Sequence, residues 1–272
     1  MKSIAVLVVL FFLLGNCAGP MCSSAPQWTG DQPLVFDEEF VGPAGAPADP
    51  KRWQPDVGGG GWGNQELQFY TNGANTSLDG NGNLLIEARR AEQGLNCWYG
   101  PCQYTSGKLT TKVSFTQRYG RFEARMKAPA ERGLWPAFWL LGDNIDAVGH
   151  PACGEIDVME TLGQDPDLVQ QHAIGPGLKF GGPYPLGAGQ SIADWHVYGV
   201  EWSPDAIQWL LDGRPALTLT KAAAGSSWVF DRPFYLLVNL AVGGEWPGAP
   251  SDNAPFPQRL LVDYVRVYGL SA

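Results

Sequence analysis

Ile207-Gln208-Trp209-Leu210-Leu211, then Asp212-Gly213, then Ala216-Leu217-Thr218-Leu219 reads as a β-hairpin, because Asp-Gly favours the tight turns whose twist matches that of the flanking strands. Outward from it the same pattern repeats. Short runs rich in Val, Leu, Tyr, Trp and Phe, separated by Gly, Pro and Asn, occupy residues 83–89, 107–115, 120–127, 154–160, 195–202, 233–241 and 261–268. No amphipathic stretch long enough for a three-turn helix interrupts them, and without strand–helix alternation a TIM barrel is disfavoured. The expected fold is all-β, an antiparallel two-sheet sandwich of jelly-roll type. Its many turns are supplied by 35 glycines and 22 prolines.

The chain has 272 residues, 44% of them hydrophobic, which suits one large domain with a sizeable core over residues 26–272. Lys+Arg is 18 against Asp+Glu 27, a net charge of -9, which argues against nucleic acid or an anionic membrane surface as partner and favours a neutral polymer. Residues 1–25 read as a secretion signal: Met1-Lys2 supplies the charge, Ile4 to Leu14 the apolar stretch, and Ser23-Ser24-Ala25 the small-residue cleavage site. That stretch is too short to span a bilayer, so no transmembrane segment is expected. A lipoprotein signal ending Leu14-Gly15-Asn16-Cys17, with a lipid anchor on Cys17, is the alternative. Cys97 and Cys102 are expected to form a disulfide around Trp98-Tyr99-Gly100-Pro101, and Cys153 to be a free thiol.

Gly154-Glu155-Ile156-Asp157-Val158-Met159-Glu160 carries three carboxylates in an otherwise apolar, strand-like run, where charge is costly unless a task requires it. Side chains alternate along a strand, so Glu155 and Asp157 share one face and Glu160 falls on the other. A β-bulge at Val158-Met159 would add one residue and turn Glu160 onto the first face. Two outer glutamates can then flank one bond, as a retaining glycoside hydrolase requires: one carboxylate attacks the sugar carbon while an acid roughly 5 Å away protonates the departing oxygen. On this reading Glu155 is the nucleophile, Glu160 the acid/base, and Asp157 the residue that orients Glu155. Burial and mutual repulsion should raise the proton affinity of Glu160. A solvated acidic face, or a cation site, is the competing reading. Cys153, two residues before Glu155, should face the same cleft.

Together the motifs resemble glycoside hydrolase family 16, and within it the bacterial laminarinase-like endo-β-1,3-glucanases. The resemblance rests on the bulged pattern E-x-D-x-x-E at 155–160 and on four further segments: Trp62-Gly63-Asn64-Gln65-Glu66-Leu67-Gln68-Phe69-Tyr70, Gly133-Leu134-Trp135-Pro136-Ala137-Phe138-Trp139-Leu140-Leu141, Asn239-Leu240-Ala241-Val242-Gly243-Gly244-Glu245-Trp246-Pro247-Gly248, and Val262-Asp263-Tyr264-Val265-Arg266-Val267-Tyr268. It runs from about residue 34 to 268. The resemblance implies a concave sheet carrying an open cleft, a double-displacement reaction with retention, and cleavage within β-1,3-linked glucans by a monomer that needs no cofactor for the chemistry.

Carried over by position, the resemblance puts Asn64, Trp135, Trp139, Arg121 and Trp246 on the sugars at the nucleophile side. His172 falls near the acid/base, Trp62 at the cleft edge, and Asn239 among the substrate-binding positions. Trp139 reads equally as a core aromatic, Arg121 as half of a structural ion pair, and His196 as structural. The resemblance also implies a structural calcium on the convex face, held by Asp263 with backbone carbonyls near Glu39 and Gly82; Asp263 reads equally as a plain strand-end charge. A relative acting on mixed-linkage glucan, agarose or carrageenan, and a non-catalytic β-glucan recognition module, are the competing functions. The second would have lost catalytic acids that this chain keeps.

Overall fold

The computed structural model describes residues 32–270, so the signal sequence and Cys17 lie outside the described residues. Two β-sheets face each other. One has ten strands, in the order Arg214–Thr220, Ala206–Leu211, His196–Trp202, Gly120–Lys127, Gln258–Tyr268, Leu84–Arg90, Tyr104–Ser106 and Gln68–Tyr70, with Leu34–Glu38 paired to Gln258–Tyr268 and Thr76–Leu78 to Leu84–Arg90. The other has seven, in the order Leu178–Pro185, Leu168–Gly175, Glu155–Glu160, Leu134–Gly142, Phe234–Val242, Lys108–Thr110 and Gln54–Pro55. The Asp-Gly hairpin forms as expected, with Leu211 opposite Arg214 and both turn residues at positive φ, Asp212 at 49° and Gly213 at 73°.

Alternation builds the sandwich. Phe138 and Leu140 of Leu134–Gly142, Leu236, Val238 and Leu240 of Phe234–Val242, and Ile156 and Val158 of the acidic strand are fully buried, as are Phe122, Ala124, Val200 and Trp202 of the ten-stranded sheet. The intervening residues Trp135, Ala137, Trp139 and Leu141, with Leu237, Asn239 and Ala241, point the other way and floor a cleft on the outer face of the seven-stranded sheet. Burying apolar surface between the sheets stabilises the sandwich at roughly 25 cal/mol per Å², and the same alternation sets the side chains of the cleft.

Three details differ from expectation. Gly107–Phe115 is regular strand only at Lys108–Thr110, because the chain turns at Thr111, whose carbonyl accepts from Ser114 and Phe115 N–H. One pair, Gln68–Tyr70 with Tyr104–Ser106, is parallel. A further hairpin, Leu168–Gly175 with Leu178–Pro185, completes the acidic side of the cleft. There Gly181 sits at φ 118°, and a Cβ would lie 1.9 Å from the Gln171 carbonyl oxygen, so only glycine fits. Among the described residues the helices are short: Ile145–Val148, Lys221–Ala224 and a 3-10 turn at Gly225–Ser227. None is long and apolar enough to cross a membrane.

Candidate active site

The bulge forms where the acids need it. Asp157 pairs with His172 and Glu160 with Gln170, so Val158 and Met159 together oppose Gln171; on the other side Trp139 pairs with Asp157 and Phe138 with Met159. A bulge strands backbone groups outside the ladder, and these find partners here. The Asp157 carbonyl accepts from Trp209 Nε1 of the opposite sheet at 2.8 Å, and the Val158 carbonyl from Gln171 Nε2 at 3.3 Å. Val158 and Met159 both enter the core, and Glu155, Asp157 and Glu160 all line a cleft of about 710 Å³.

Each acid has its own surroundings. Glu160 is held from two sides: Trp135 Nε1–H donates to Oε1 at 2.9 Å, and His172 Nδ1 lies 2.9 Å from Oε2. Burial raises its proton affinity against the lowering effect of His172 and Trp135. Asp157 is pushed well above the usual carboxylate range, first by burial, then by the charges of Glu155 and Glu160 and by a hydrogen bond with Glu155. A protonated Asp157 can therefore donate to Glu155. Glu155 faces His150, whose Nε2 lies 3.0 Å from Oε2. Among the described residues, Asp157, Glu160 and His172 alone bring metal-ligand atoms within 4.8 Å of one another; the hydrogen bonds just given account for that closeness.

The aromatic residues form the rest of the cleft. Trp135 meets Trp246 edge-on at 5.2 Å, and Trp246 meets His172 at 5.9 Å. Trp139 is half-buried and lines the cleft. Its Nε1–H donates to Asn239 Oδ1 at 2.8 Å, Asn239 Nδ2 donates to the Tyr70 hydroxyl at 3.1 Å, and that hydroxyl donates to Glu66 at 3.2 Å. Trp62 and Asn64 also line the cleft. Lys108 Nζ stands 4.0 Å over the Trp62 ring and pairs with Asp56 at 3.1 Å. Burial raises the pKa of Glu66. Glu66, Tyr70, Lys108 and His150 were not singled out from sequence; Glu66 and Tyr70 stand inside the Trp62–Tyr70 segment, whereas nothing in the spacing marks Lys108 or His150.

Several expected positions lie elsewhere. Arg121 is on the ten-stranded sheet, paired with Glu123 at 2.8 Å and Glu201 at 3.6 Å, because strand Gly120–Lys127 joins the sheet opposite the cleft. It is structural and does not reach the sugar site. Cys153 is a free, fully buried thiol. It packs on the cleft side of the sheet against Leu141, Tyr235 and Leu237, covered by them and not itself lining the cleft, and burial raises its pKa. Cys97 and Cys102 are bonded, and their loop is fastened to the Trp62–Tyr70 segment by Trp98 Nε1 to the Glu66 carbonyl at 2.8 Å and the Tyr99 hydroxyl to the Leu67 carbonyl at 2.7 Å. His196 is structural, 2.9 Å from Asp212.

The calcium ligands divide. Glu39 O lies 4.0 Å from where a Cβ on Gly82 would stand, so those backbones adjoin. The Asp263 carboxylate, however, pairs with Arg125 Nη1 at 2.6 Å and the Glu39 carboxylate with Arg266 at 2.7 Å. The backbone carbonyls are not engaged by those guanidinium groups, but as placed the one side-chain ligand of the set, Asp263, is already neutralised by Arg125 and is not free for a calcium ion.

Two glutamates flanking a buried aspartate of raised proton affinity, in an aromatic groove on the outer face of a β-sandwich, define a carboxylate-dependent glycoside hydrolase, whose chemistry needs no cofactor. Residues 62–266 match the profile of the Glycosyl hydrolases family 16, and the chain belongs to that family. A β-glucanase of Rhodothermus marinus is 41% identical over 262 residues, covering 90% of this chain and 86% of that protein. The solved laminarinase catalytic domain of Thermotoga maritima superposes with a TM-score of 0.82 at 42% identity, covering 89% of this chain and 100% of that one. The endo-β-1,3-glucanase from Pyrococcus furiosus superposes with a TM-score of 0.83 at 42% identity, covering 89% and 95%.

Proposed function

We propose that this enzyme cleaves β-1,3-glucosidic bonds inside laminarin-type glucans, with retention of configuration. The observation that carries the mechanism is the bulge, which brings Glu160 onto the face of Glu155 and Asp157. The substrate follows from the relatives, named as laminarinases and endo-β-1,3-glucanases. In the first step the Glu155 carboxylate attacks the anomeric carbon, the glycosidic C–O bond breaks, and the departing oxygen takes the proton from Glu160. In the second, Glu160 removes a proton from water, the water oxygen attacks the same carbon, and the Glu155 carboxylate leaves. Asp157, protonated and buried, holds Glu155 in orientation and leaves the negative charge on it. Trp135, Trp246, Trp139 and Trp62 present rings for sugar C–H faces, Asn64 and Asn239 present amides, and His172 orients Glu160.

The enzyme acts as a secreted monomer, with a lipid anchor at Cys17 as the alternative. A structural calcium would require Asp263 to release Arg125, and would take no part in the reaction. A panel of laminarin, mixed-linkage glucan, cellulose and agarose, read by reducing ends and product length, tests the substrate: short laminarin oligosaccharides, weaker release from mixed-linkage glucan and none from the other two are expected. Efficient cleavage of agarose, or binding of laminarin without hydrolysis, overturns the reading. Proton NMR of the first product should show the β-anomer before mutarotation, and an initial α-anomer would refute the double displacement.

A further inference from the structure

His150 lies between the short helix Ile145–Val148 and the acidic strand, lines the cleft, and keeps its side chain 46% exposed while placing Nε2 3.0 Å from Glu155 Oε2. Glu155 is 15% exposed, and among the described residues His150 is the basic side chain within ion-pair distance of it. The other acids are partnered differently: Glu160 by the Trp135 indole and His172, Asp157 by Glu155. Other charges around His150 do not substitute for it. Lys112, from the strand end beyond Thr110, is paired with Asp146 of the helix at 2.6 Å. Lys179, on the edge strand beyond Ile174, acts on Asp157. Tyr235 of Phe234–Val242 lines the cleft as well, and the Cys153 thiol packs against it.

We infer that His150 is a positioning residue for the reaction, a cation fixed against Glu155 Oε2 that assigns the negative charge of the three-acid cleft to Glu155 while Asp157 and Glu160 keep their protons. The inference rests on Glu155 being the nucleophile. Three carboxyl groups in one buried site share their protons as a set, and a cation in contact favours charge on the group it touches; His172 acts in that sense on Glu160, but there burial is the larger influence and raises its proton affinity. The contact runs both ways, for the hydrogen bond to Glu155 raises the proton affinity of His150 above the ordinary imidazole value. The same cation has a part in each half of the reaction: it orients the attacking carboxylate, and it stabilises that carboxylate as it leaves the glycosyl-enzyme.

The test compares the pH dependence of kcat/KM on a β-1,3-glucan oligosaccharide for wild type, H150Q and H150K. Removing the positive charge withdraws the cation that favours a charged nucleophile, so the acid limb of H150Q should move to higher pH, and H150K should restore much of the shift. In parallel, NMR of the three histidines should show the His150 ring titrating above its ordinary range in wild type and falling back in E155Q. An unmoved acid limb with a raised KM would make His150 a sugar contact, and an identical His150 titration in E155Q would remove the ion pair; either overturns the inference. If E155Q itself turns over substrate, it is the nucleophile assignment that fails. If E155Q is inactive and H150Q keeps the wild-type limb, only the role of His150 fails.

Discussion

The two faces of the molecule treat carboxylates in opposite ways. On the ten-stranded sheet Glu123 and Glu201 flank Arg121, a guanidinium that stays charged at any working pH, at 2.8 and 3.6 Å. In the cleft, Glu155, Asp157 and Glu160 have no arginine among their partners in the described residues: they meet an indole N–H, two imidazoles and one another. A guanidinium keeps its own charge at every working pH and so always favours the ionised carboxylate, which suits a structural tie. An acid that must give and recover a proton needs a partner that stabilises it without fixing its charge. Burial raises Glu160 and Asp157 accordingly. The neutralising partner, more than the number of acids, separates the reactive cluster from the structural one.

The largest effect that could break this contrast is at Glu155. Glu155→Gln preserves volume and hydrogen bonding but cannot attack carbon, so turnover should fall by at least about 10³-fold with the fold intact; activity above about one percent in the folded variant would remove Glu155 as nucleophile. Next is Glu160→Gln, which still accepts from Trp135 but cannot donate a proton. Polysaccharide hydrolysis should fall by roughly 10²- to 10⁴-fold, while an aryl glycoside with an activated leaving group should recover much of the first step. Equal losses on both substrates would mean that Glu160 is not the acid.

The contrast was only half legible in the sequence. Gly154–Glu160 carries its acids at a spacing that a regular strand would scatter, and buried Ile156, Val158 and Met159 dictate a bulge; composition and period sufficed there. Arg121 shows the limit. Its neighbours Gly120 and Glu123 are legible, but which sheet the strand joins depends on pairing with His196–Trp202 and Gln258–Tyr268, far along the chain. The hairpin Leu168–Pro185 was obscure because Gly181, Gly182 and Pro183 read as breakers, while in the fold they belong to an edge strand whose burial alternates strictly. His150 and Lys108 were invisible for the same reason: each meets its partner through the fold, and neither stands in a motif.

A smaller effect sharpens the acid side. Trp135 does two things, offering a ring to the cleft and an N–H to Glu160 Oε1, and two variants separate them. Trp135→Ala should weaken chain binding about tenfold, in line with a stacking contact of roughly 0.5 to 1.5 kcal/mol, chiefly in KM. Trp135→Phe keeps an aromatic face but removes the donor that lowers the pKa of Glu160. The acid should then hold its proton to higher pH, moving the basic limb of kcat/KM upward. A basic limb that stays in place would mean that the indole N–H does not tune Glu160.

The smallest effect on catalysis is expected at Arg121, and it tests the comparison from its structural side. Arg121→Ala leaves Glu123 and Glu201 facing each other without a cation, on the sheet opposite the cleft. The kcat/KM should stay within about twofold of wild type, since no reacting group is touched. Stability should fall by about 1 kcal/mol, the upper range for a partly exposed pair, lowering Tm by about 2–4 °C. Burial raises the pKa of Glu201 and the Glu123 charge adds to it, with Arg121 opposing both, so removing Arg121 raises the folded-state pKa of that carboxyl further. The loss should therefore grow as pH rises through the carboxylate range and vanish at acid pH, where the carboxyls are protonated and need no cation. Thermal melts of both proteins across pH would show this. A drop in activity with unchanged melting would instead place Arg121 in the substrate's path, against its position in the fold.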